Sequence, residues 1–231
     1  MRSSLLILGY HDFDAHERNP WTLDPIRFAE QIGFLRRRGY QFVTLDQARK
    51  ALRVEGQKSV CLTFDDGRAG CYFYARRILA AAGIQGMFYI CPGMQDANVA
   101  ASEKYSQFMT WSEIKDLAAE GHTIGAHSMD HTVMVGMSGP DLFRQFYGSR
   151  AVIHQRTGIW CEHFAVPYGR YDAQIVAYAQ LASYSTLMTT DLGLNHIGQE
   201  AHRLLRYQVK SYGDVATFEE TIKHLEATCD A

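Results

Sequence analysis

The sequence has no surplus of charge, no long apolar run and no patterned cysteines. Of its 231 residues, 23 are Lys or Arg and 25 are Asp or Glu, a formal net charge of −2. No basic balance therefore argues for nucleic acid or for an anionic membrane surface. No apolar stretch approaches the ~20 residues needed to span a bilayer, so no transmembrane segment is expected. The five cysteines, Cys61, Cys71, Cys91, Cys161 and Cys229, are an odd count without metal-type pair spacing. Several lie in apolar, strand-like runs and are expected to be buried free thiols. The segment from Met1 to Tyr10 has one basic residue and a short apolar run, too little for a secretory signal. Together these absences predict a reducing, cytoplasmic setting. Repeats, low-complexity tracts and linkers are lacking too, so 1–231 is expected to be one domain.

What is present suits a globular α/β chain. Hydrophobic residues make up 47% and charged residues 21%, enough for a real core. Leu5 to Tyr10 reads as a strand with His11 and Asp12 at its C-terminal end. Asp24-Pro25 reads as a helix start, Asp as N-cap and Pro at the first position. Phe28, Ile32 and Leu35 follow at helical spacing, and Arg36-Arg37-Arg38-Gly39 supplies a basic last turn and a stop. Further strands are expected at Gln41 to Thr44, Val60 to Phe64, Gly86 to Cys91, Thr123 to Ala126, His163 to Val166, Ser185 to Met188 and Leu204 to Val209. Between them fall helices at Leu45 to Leu52, Tyr72 to Ala82, Ser112 to Glu120 with Ser112 as cap, Gly139 to about Thr157, and Asp172 to Leu181. Phe218 to Ala227 closes the chain as a helix. Phe143, Phe146 and Tyr147 are assigned to the core from their spacing. Met94 to Met109 reads as a loop able to cover a site. Strands alternating with helices argue for a parallel sheet with right-handed crossovers. Periodicity alone does not separate a barrel from an open sheet.

One stretch organises the rest. Val60-Cys61-Leu62-Thr63-Phe64 is an apolar, β-prone run, and Asp65-Asp66-Gly67 follows at once. Two adjacent carboxylates at a strand end are costly unless their charge is used. An ordinary Asp-Asp-Gly turn accounts for them equally well in isolation. His127-Ser128-Met129-Asp130-His131 follows a second apolar run, and its histidines stand four apart. One helical turn would bring both imidazoles to one face. Two imidazoles and a carboxylate form a three-ligand set with open positions, the pattern of a catalytic divalent metal.

Thr63-Phe64-Asp65-Asp66-Gly67 and His127-Ser128-Met129-Asp130-His131 resemble the first two motifs of the polysaccharide deacetylases (carbohydrate esterase family 4, the NodB homology domain). Phe164-Ala165-Val166-Pro167-Tyr168-Gly169 resembles the third, in the same order. The resemblance runs from about Leu5 to Val209. It implies a distorted (β/α) barrel and a metal-dependent hydrolase that removes N-acetyl groups from a sugar or polysaccharide. On that pattern Asp66, His127 and His131 hold the metal, most simply Zn²⁺ but with Co²⁺, Ni²⁺ or Fe²⁺ compatible. Asp65 is the base, the Tyr168 backbone N–H helps hold the oxyanion, and Pro167 belongs to the substrate-binding third motif.

The general acid has two candidates. Most of the family uses a late histidine, here His224. A subset places a Tyr-His pair at the end of the first strand, and Leu8-Gly9-Tyr10-His11-Asp12 is similar to it, which favours His11. Two departures stand out. Ala165 occupies the place where the third motif usually carries an Arg that pairs with the base, and Arg206 is a candidate replacement as well as a substrate-binding candidate. The fourth motif is not recognisable, and Asp191 is the nearest acidic residue. His16 and His196 could line the mouth, while His122, His154, His163 and His202 read as structural. Trp21, Tyr105 and Trp111 could stack on a sugar ring. The competing readings are hydrolysis of a C–N bond in a cyclic ureide or imide, and a catalytically silent glycan-binding module.

Overall fold

The computed structural model describes residues 3–16, 19–95, 108–211 and 215–229. Its spine is strand β1 (Ser4–Tyr10), buried along its whole length. Strand β5 (Lys58–Phe64) lies parallel to it, with Leu6 opposite Val60 and Tyr10 opposite Phe64. Between them in sequence come the short parallel pair β2 (Asp12–Phe13) and β3 (Thr22–Leu23), helix α1 (Pro25–Arg37), β4 (Gln41–Phe42) and α2 (Leu45–Ala51). The Asp24 side chain accepts from the Ile26 N–H and Pro25 opens α1, as the sequence predicts. Thr44 caps α2 in a reciprocal pair with Gln47.

The chain continues through a π-helical turn (Cys71–Ala75) into α3 (Arg76–Ala82), then β6 (Met87–Ile90), α4 (Trp111–Ala119) and β7 (Thr123–Ala126). Next come α5 (Gly139–Phe143), a second π-helical turn (Arg144–Gly148) and α6 (Ser149–Thr157), which form one continuous helical run. It ends with β8 (His163–Ala165), α7 (Ala173–Leu181), β9 (Thr186–Met188), β10 (Tyr207–Gln208) and α8 (Val215–Cys229). The eight-stranded sheet runs β10-β1-β5-β6-β7-β8-β9, with β4 also on β5, and every named pair is parallel. It curls. Leu204 bridges to Met188 beside β9 while Tyr207 and Gln208 pair with Leu8 and Gly9. The segment 204–208 thus links both ends of the sheet into a distorted partial barrel.

Alternation along the strands sorts the core into two faces. Leu5, Ile7, Cys61, Met87, Tyr89, Ala165 and Met188 form the inner cluster, joined by Leu45 and Ala48 of α2. Leu6, Leu8, Tyr10, Leu62, Phe64 and Phe88 belong to the larger cluster against the helices. Phe64 stacks on Phe88 at 4.6 Å and lies edge-on to Phe28 of α1 at 5.9 Å. Each such buried Phe contributes roughly 1.5–3 kcal/mol. Cys61, Cys71, Cys91 and Cys161 are buried free thiols, as expected. No described helix is long and apolar enough to cross a membrane.

Several local expectations need correction. Thr110, not Ser112, caps α4, because its hydroxyl accepts the Glu113 N–H while Glu113 reaches back to the Thr110 N–H. Phe146 is fully buried, but Phe143 and Tyr147 are about half exposed and stack on each other. The expected strand Leu204 to Val209 is reduced to Tyr207–Gln208 with a bridge at Leu204. Residues 92–95, expected as a breaker and the start of a loop, form a helical turn. The rest of that expected loop up to 107, with Tyr105, lies outside the described residues.

Candidate functional site

Because all strands are parallel, β1, β5, β7, β8 and β10 deliver their C-terminal residues to one mouth. A cavity of about 1050 Å³ opens there, lined in part by His11, Asp65, Asp66, His127, His131 and Arg206.

The Asp65 N–H still donates to the Tyr10 carbonyl at 2.8 Å, so the carboxylate continues the strand register. It therefore shares the inner face with Cys61 and Thr63. The next two residues leave the strand abruptly, Asp66 at φ 69° and Gly67 at φ 70°. A left-handed residue other than Gly costs about 1–2 kcal/mol. The buried Gln95 amide offsets this by donating to both the Asp66 and Gly67 carbonyls at 3.1 Å. A Cβ on Gly67 would collide with that amide.

The histidine motif is not helical, contrary to the sequence expectation. Ser128 (φ 65°) and His131 (φ 57°) are both left-handed, and the chain folds into a tight loop after β7. Ser128 Oγ accepts the His131 N–H at 3.0 Å. Gln145, buried in the second π-helical turn, accepts the Met129 N–H at 2.9 Å and donates to Asp130 Oδ1 at 3.0 Å. The loop geometry, not a helical turn, brings the imidazoles together with ring centroids 4.9 Å apart.

The donor set fits a metal ion. His127 Nδ1 lies 2.8 Å from the Ala165 carbonyl, which can only accept, so the proton sits on Nδ1 and the Nε2 lone pair faces the cavity. Burial holds the His127 pKa below the usual histidine range, keeping the ring neutral. Asp66 Oδ1 is 3.2 Å from His131 Nε2 and 3.5 Å from His127 Nε2. That oxygen is nevertheless buried without a hydrogen-bond donor. Ligand atoms from the three residues all lie within 4.8 Å of one another. Lone pairs converging on one point are what a divalent cation requires. Among the described residues this is the one group of three or more His, Cys, Asp or Glu so placed.

Asp65 stands beside this centre. Its two oxygens each meet an Arg206 guanidinium nitrogen at 2.8 Å. Arg206 is 1% exposed and also donates to Thr63 Oγ1 and the Thr189 carbonyl, both at 3.1 Å. Burial pushes the Asp65 carboxyl up, but the charge of the Arg206 guanidinium and its hydrogen bonds outweigh it and hold the pKa below its ordinary value. The guanidinium thus supplies the pairing that Ala165 lacks. Ala165 contributes its carbonyl to His127 instead.

His11 sits at the end of β1, its ring 4.3 Å from that of Trp21 and its Nδ1 buried without a partner. The Cys71 thiol donates to the His11 carbonyl at 3.0 Å. Burial pulls the His11 pKa down to about 4, against Asp65 and Asp66, which raise it. Tyr168, left-handed at φ 59°, is 58% exposed and places its ring edge-on to His131 at 4.7 Å. Gly169, also left-handed, leaves no room for a Cβ against Thr190. Pro167 is buried behind the mouth and does not line the cavity, whereas Val166, Tyr168 and Arg170 do.

The remaining candidates lie elsewhere. His224 is exposed on α8 and outside the cavity lining. His16, His196 and Trp111 do not line it either. His196 Nδ1 faces the Ser3 carbonyl, and Trp111 packs against the core. His122, His163 and His202 each make a structural hydrogen bond. Asp191 accepts from the Tyr171 hydroxyl, and its carbonyl accepts the Arg206 N–H. Gln95 and Gln145 escaped sequence reasoning, because a lone Gln carries no motif and only the fold aims its amide. Arg170 and Lys210, also in the cavity lining, escaped it for the same reason.

A curled parallel α/β sheet with an Asp-His-His group at its C-terminal mouth defines the class of the deacetylase barrels. The polysaccharide deacetylase family model matches residues 53–187, and the chain belongs to that family. YxkH of Bacillus subtilis, whose name places it in the same family, is 25% identical over 90% of this chain and 72% of its own length. The peptidoglycan-N-acetylglucosamine deacetylase PgdA of Listeria monocytogenes is 23% identical, over 53% of this chain and 24% of its own. Among solved structures, the Streptococcus pyogenes deacetylase PplD, in complex with acetate, superposes with a TM-score of 0.81 at 20% identity. That match covers 96% of this chain and 99% of PplD. IcaB from Ammonifex degensii gives the same TM-score at 22% identity and the same coverage. These likenesses carry the fold.

Proposed function

We propose that the protein is a metal-dependent hydrolase that removes N-acetyl groups from an N-acetylated sugar or polysaccharide. The observation that carries this reading is the juxtaposition of two sets. Ligand atoms of the Asp66 carboxylate and the His127 and His131 imidazoles lie within 4.8 Å of one another, and the Arg206-held Asp65 carboxylate stands beside them. Asp66, His127 and His131 would hold the cation, with Zn²⁺ suiting two imidazoles and a carboxylate best. When bound, it supplies a Lewis acid for the acetyl carbonyl and lowers the pKa of water.

The chain's own residues do the rest. Asp65, kept ionised, takes the proton of the attacking water. The Tyr168 backbone N–H donates to the oxyanion, an interaction typically worth ~3 kcal/mol in the barrier. His11 gives a proton to the leaving amine. Burial leaves the ring neutral at rest, so the proton it gives is the one that Asp65 has removed from the attacking water, and the charges of Asp65 and Asp66 favour the protonated ring in between. Acetate and the free amine leave through the open mouth.

The test is metal content and acetate release on one purified sample, wild type beside Asp66→Ala, with N-acetylglucosamine oligomers as substrate. About one metal per chain and acetate release, both lost in the variant, are expected. Bound metal with acetate release from no glycan, but turnover of a hydantoin, would replace this reading with cyclic C–N hydrolysis. Glycan binding without turnover of either would replace it with a binding module.

A further inference from the structure

The charge around the cavity differs from that of the chain. The whole sequence carries a formal −2. The cavity lining holds four cations, Arg68, Arg170, Arg206 and Lys210, against the carboxylates of Asp12, Asp65 and Asp66. A divalent cation on Asp66 adds two further positive charges. Two of the four cations are already engaged. Arg206 is bound to Asp65. Arg68 lies 3.7 Å from Asp66 and stacks over Phe108.

Arg170 and Lys210 are different. Neither makes an ion pair with a described carboxylate. Arg170 follows the Pro167–Gly169 turn and is exposed at the mouth. Lys210 follows β10, is only partly exposed, and sets its ammonium over the Trp21 ring. Burial holds its pKa below the usual lysine value. A partly desolvated ammonium gains most from an anion that shares its low-dielectric surroundings. The two cations follow different strands, β8 and β10, and both line the cavity. Trp21, meanwhile, has His11 and Lys210 on its ring and remains 41% exposed.

We propose that this cavity takes N-acetylated sugars that carry an anionic substituent, a phosphate or a carboxylate, held by Lys210 and Arg170. This rests on the deacetylase reading above and specifies its substrate class. Neither residue touches the reacting bond. They set which glycan is bound.

Acetate release by the metal-loaded enzyme is measured on N-acetylglucosamine, its 6-phosphate and N-acetylmuramic acid, for wild type, Lys210→Gln and Arg170→Gln. In parallel, calorimetry measures binding of the phosphorylated and neutral sugars at low and high salt. The expected result is kcat/KM roughly tenfold or more higher on one charged sugar than on the neutral one. The advantage should shrink in both variants through KM, and the preferred sugar tells phosphate from carboxylate. Equal kcat/KM on charged and neutral sugars, or the same loss on both in the variants, overturns the proposal. If none of these monosaccharides releases acetate, the oligomers decide the deacetylase reading, and binding decides this one alone. Salt-sensitive preference for the phosphorylated sugar that weakens in both variants supports it, and no preference overturns it.

Discussion

Arg206 and Asp65 face each other across the inside of the barrel in a two-pronged ion pair, both contacts at 2.8 Å, although 141 residues separate them. The pair is almost wholly buried, with side chains 0% and 2% exposed. It couples the segment that closes the sheet to the strand that carries the candidate base. Breaking it leaves a buried carboxylate without its partner.

Arg206→Ala is therefore expected to lose about 3–5 kcal/mol of stability, read as a fall in the denaturant midpoint. Arg206→Met paired with Asp65→Leu should recover much of it, since both charges are gone. A small loss in the single variant would show the pair to be electrostatically idle.

The two loops that carry the candidate metal ligands hang on two glutamine amides, Gln95 under Asp66 and Gln145 under Met129 and Asp130. Gln95→Leu and Gln145→Leu should each weaken metal affinity by about 10–100-fold, as losses of outer-shell partners do. Competitive titration with a chelator measures this directly. Unchanged affinity would mean the left-handed turns at Asp66 and Ser128 hold themselves.

Metal should raise the melting temperature of the wild type, because the folded chain binds it and the unfolded chain has no preformed site. At a hundredfold excess over Kd the gain is about 2.7 kcal/mol. His131→Ala should abolish the shift. A shift that survives in that variant would place the metal elsewhere.

His11→Ala should lower turnover by about 10²–10⁴-fold while metal content stays near the wild-type value. The same substitution at His224, exposed on α8, should leave turnover unchanged. The reverse outcome would move the general acid to the end of the chain.

His122 Nδ1 accepts the Gly86 N–H at 2.9 Å, so only the neutral ring makes this bond. Burial holds its pKa below the ordinary value, with Arg76 acting the same way and Glu120 opposing. Below about pH 6.5 the unfolded chain takes up the proton first. The stability from this ring is thus complete above that pH and is lost as pH falls toward the folded pKa. His122→Asn keeps an acceptor at the same place without titrating. Its melting temperature should fall less between pH 7 and pH 5 than that of the wild type.

Much of the site was legible because its signals are local. Asp65-Asp66-Gly67 directly follows a buried strand, and the strand-helix alternation that sets up a parallel sheet is a matter of short-range pattern. Asp24 and Pro25 start α1 by chemistry confined to three residues. His127 and His131 were rightly paired but for the wrong geometric reason. A spacing of four fits a helical turn, yet two left-handed residues supply a loop. Phe143 and Tyr147 were misassigned for a related reason. The π-helical turn at Arg144–Gly148 follows at once, and only Phe146 is left pointing inward.

The sequence by itself determined the types of the candidate ligands, their order along the chain and the elements that carry them, since these depend on neighbours within a few residues. Only the tertiary structure decided which distant groups complete the site. It seats Arg206 on Asp65, turns the Ala165 carbonyl toward His127, and aims the Gln95 and Gln145 amides at the ligand loops. Among the described residues, it also leaves Lys210 and Arg170 without carboxylate partners at the mouth. Those contacts arise when the sheet curls and brings β1 and β9 to either side of segment 204–208, and no local propensity encodes a meeting across that distance.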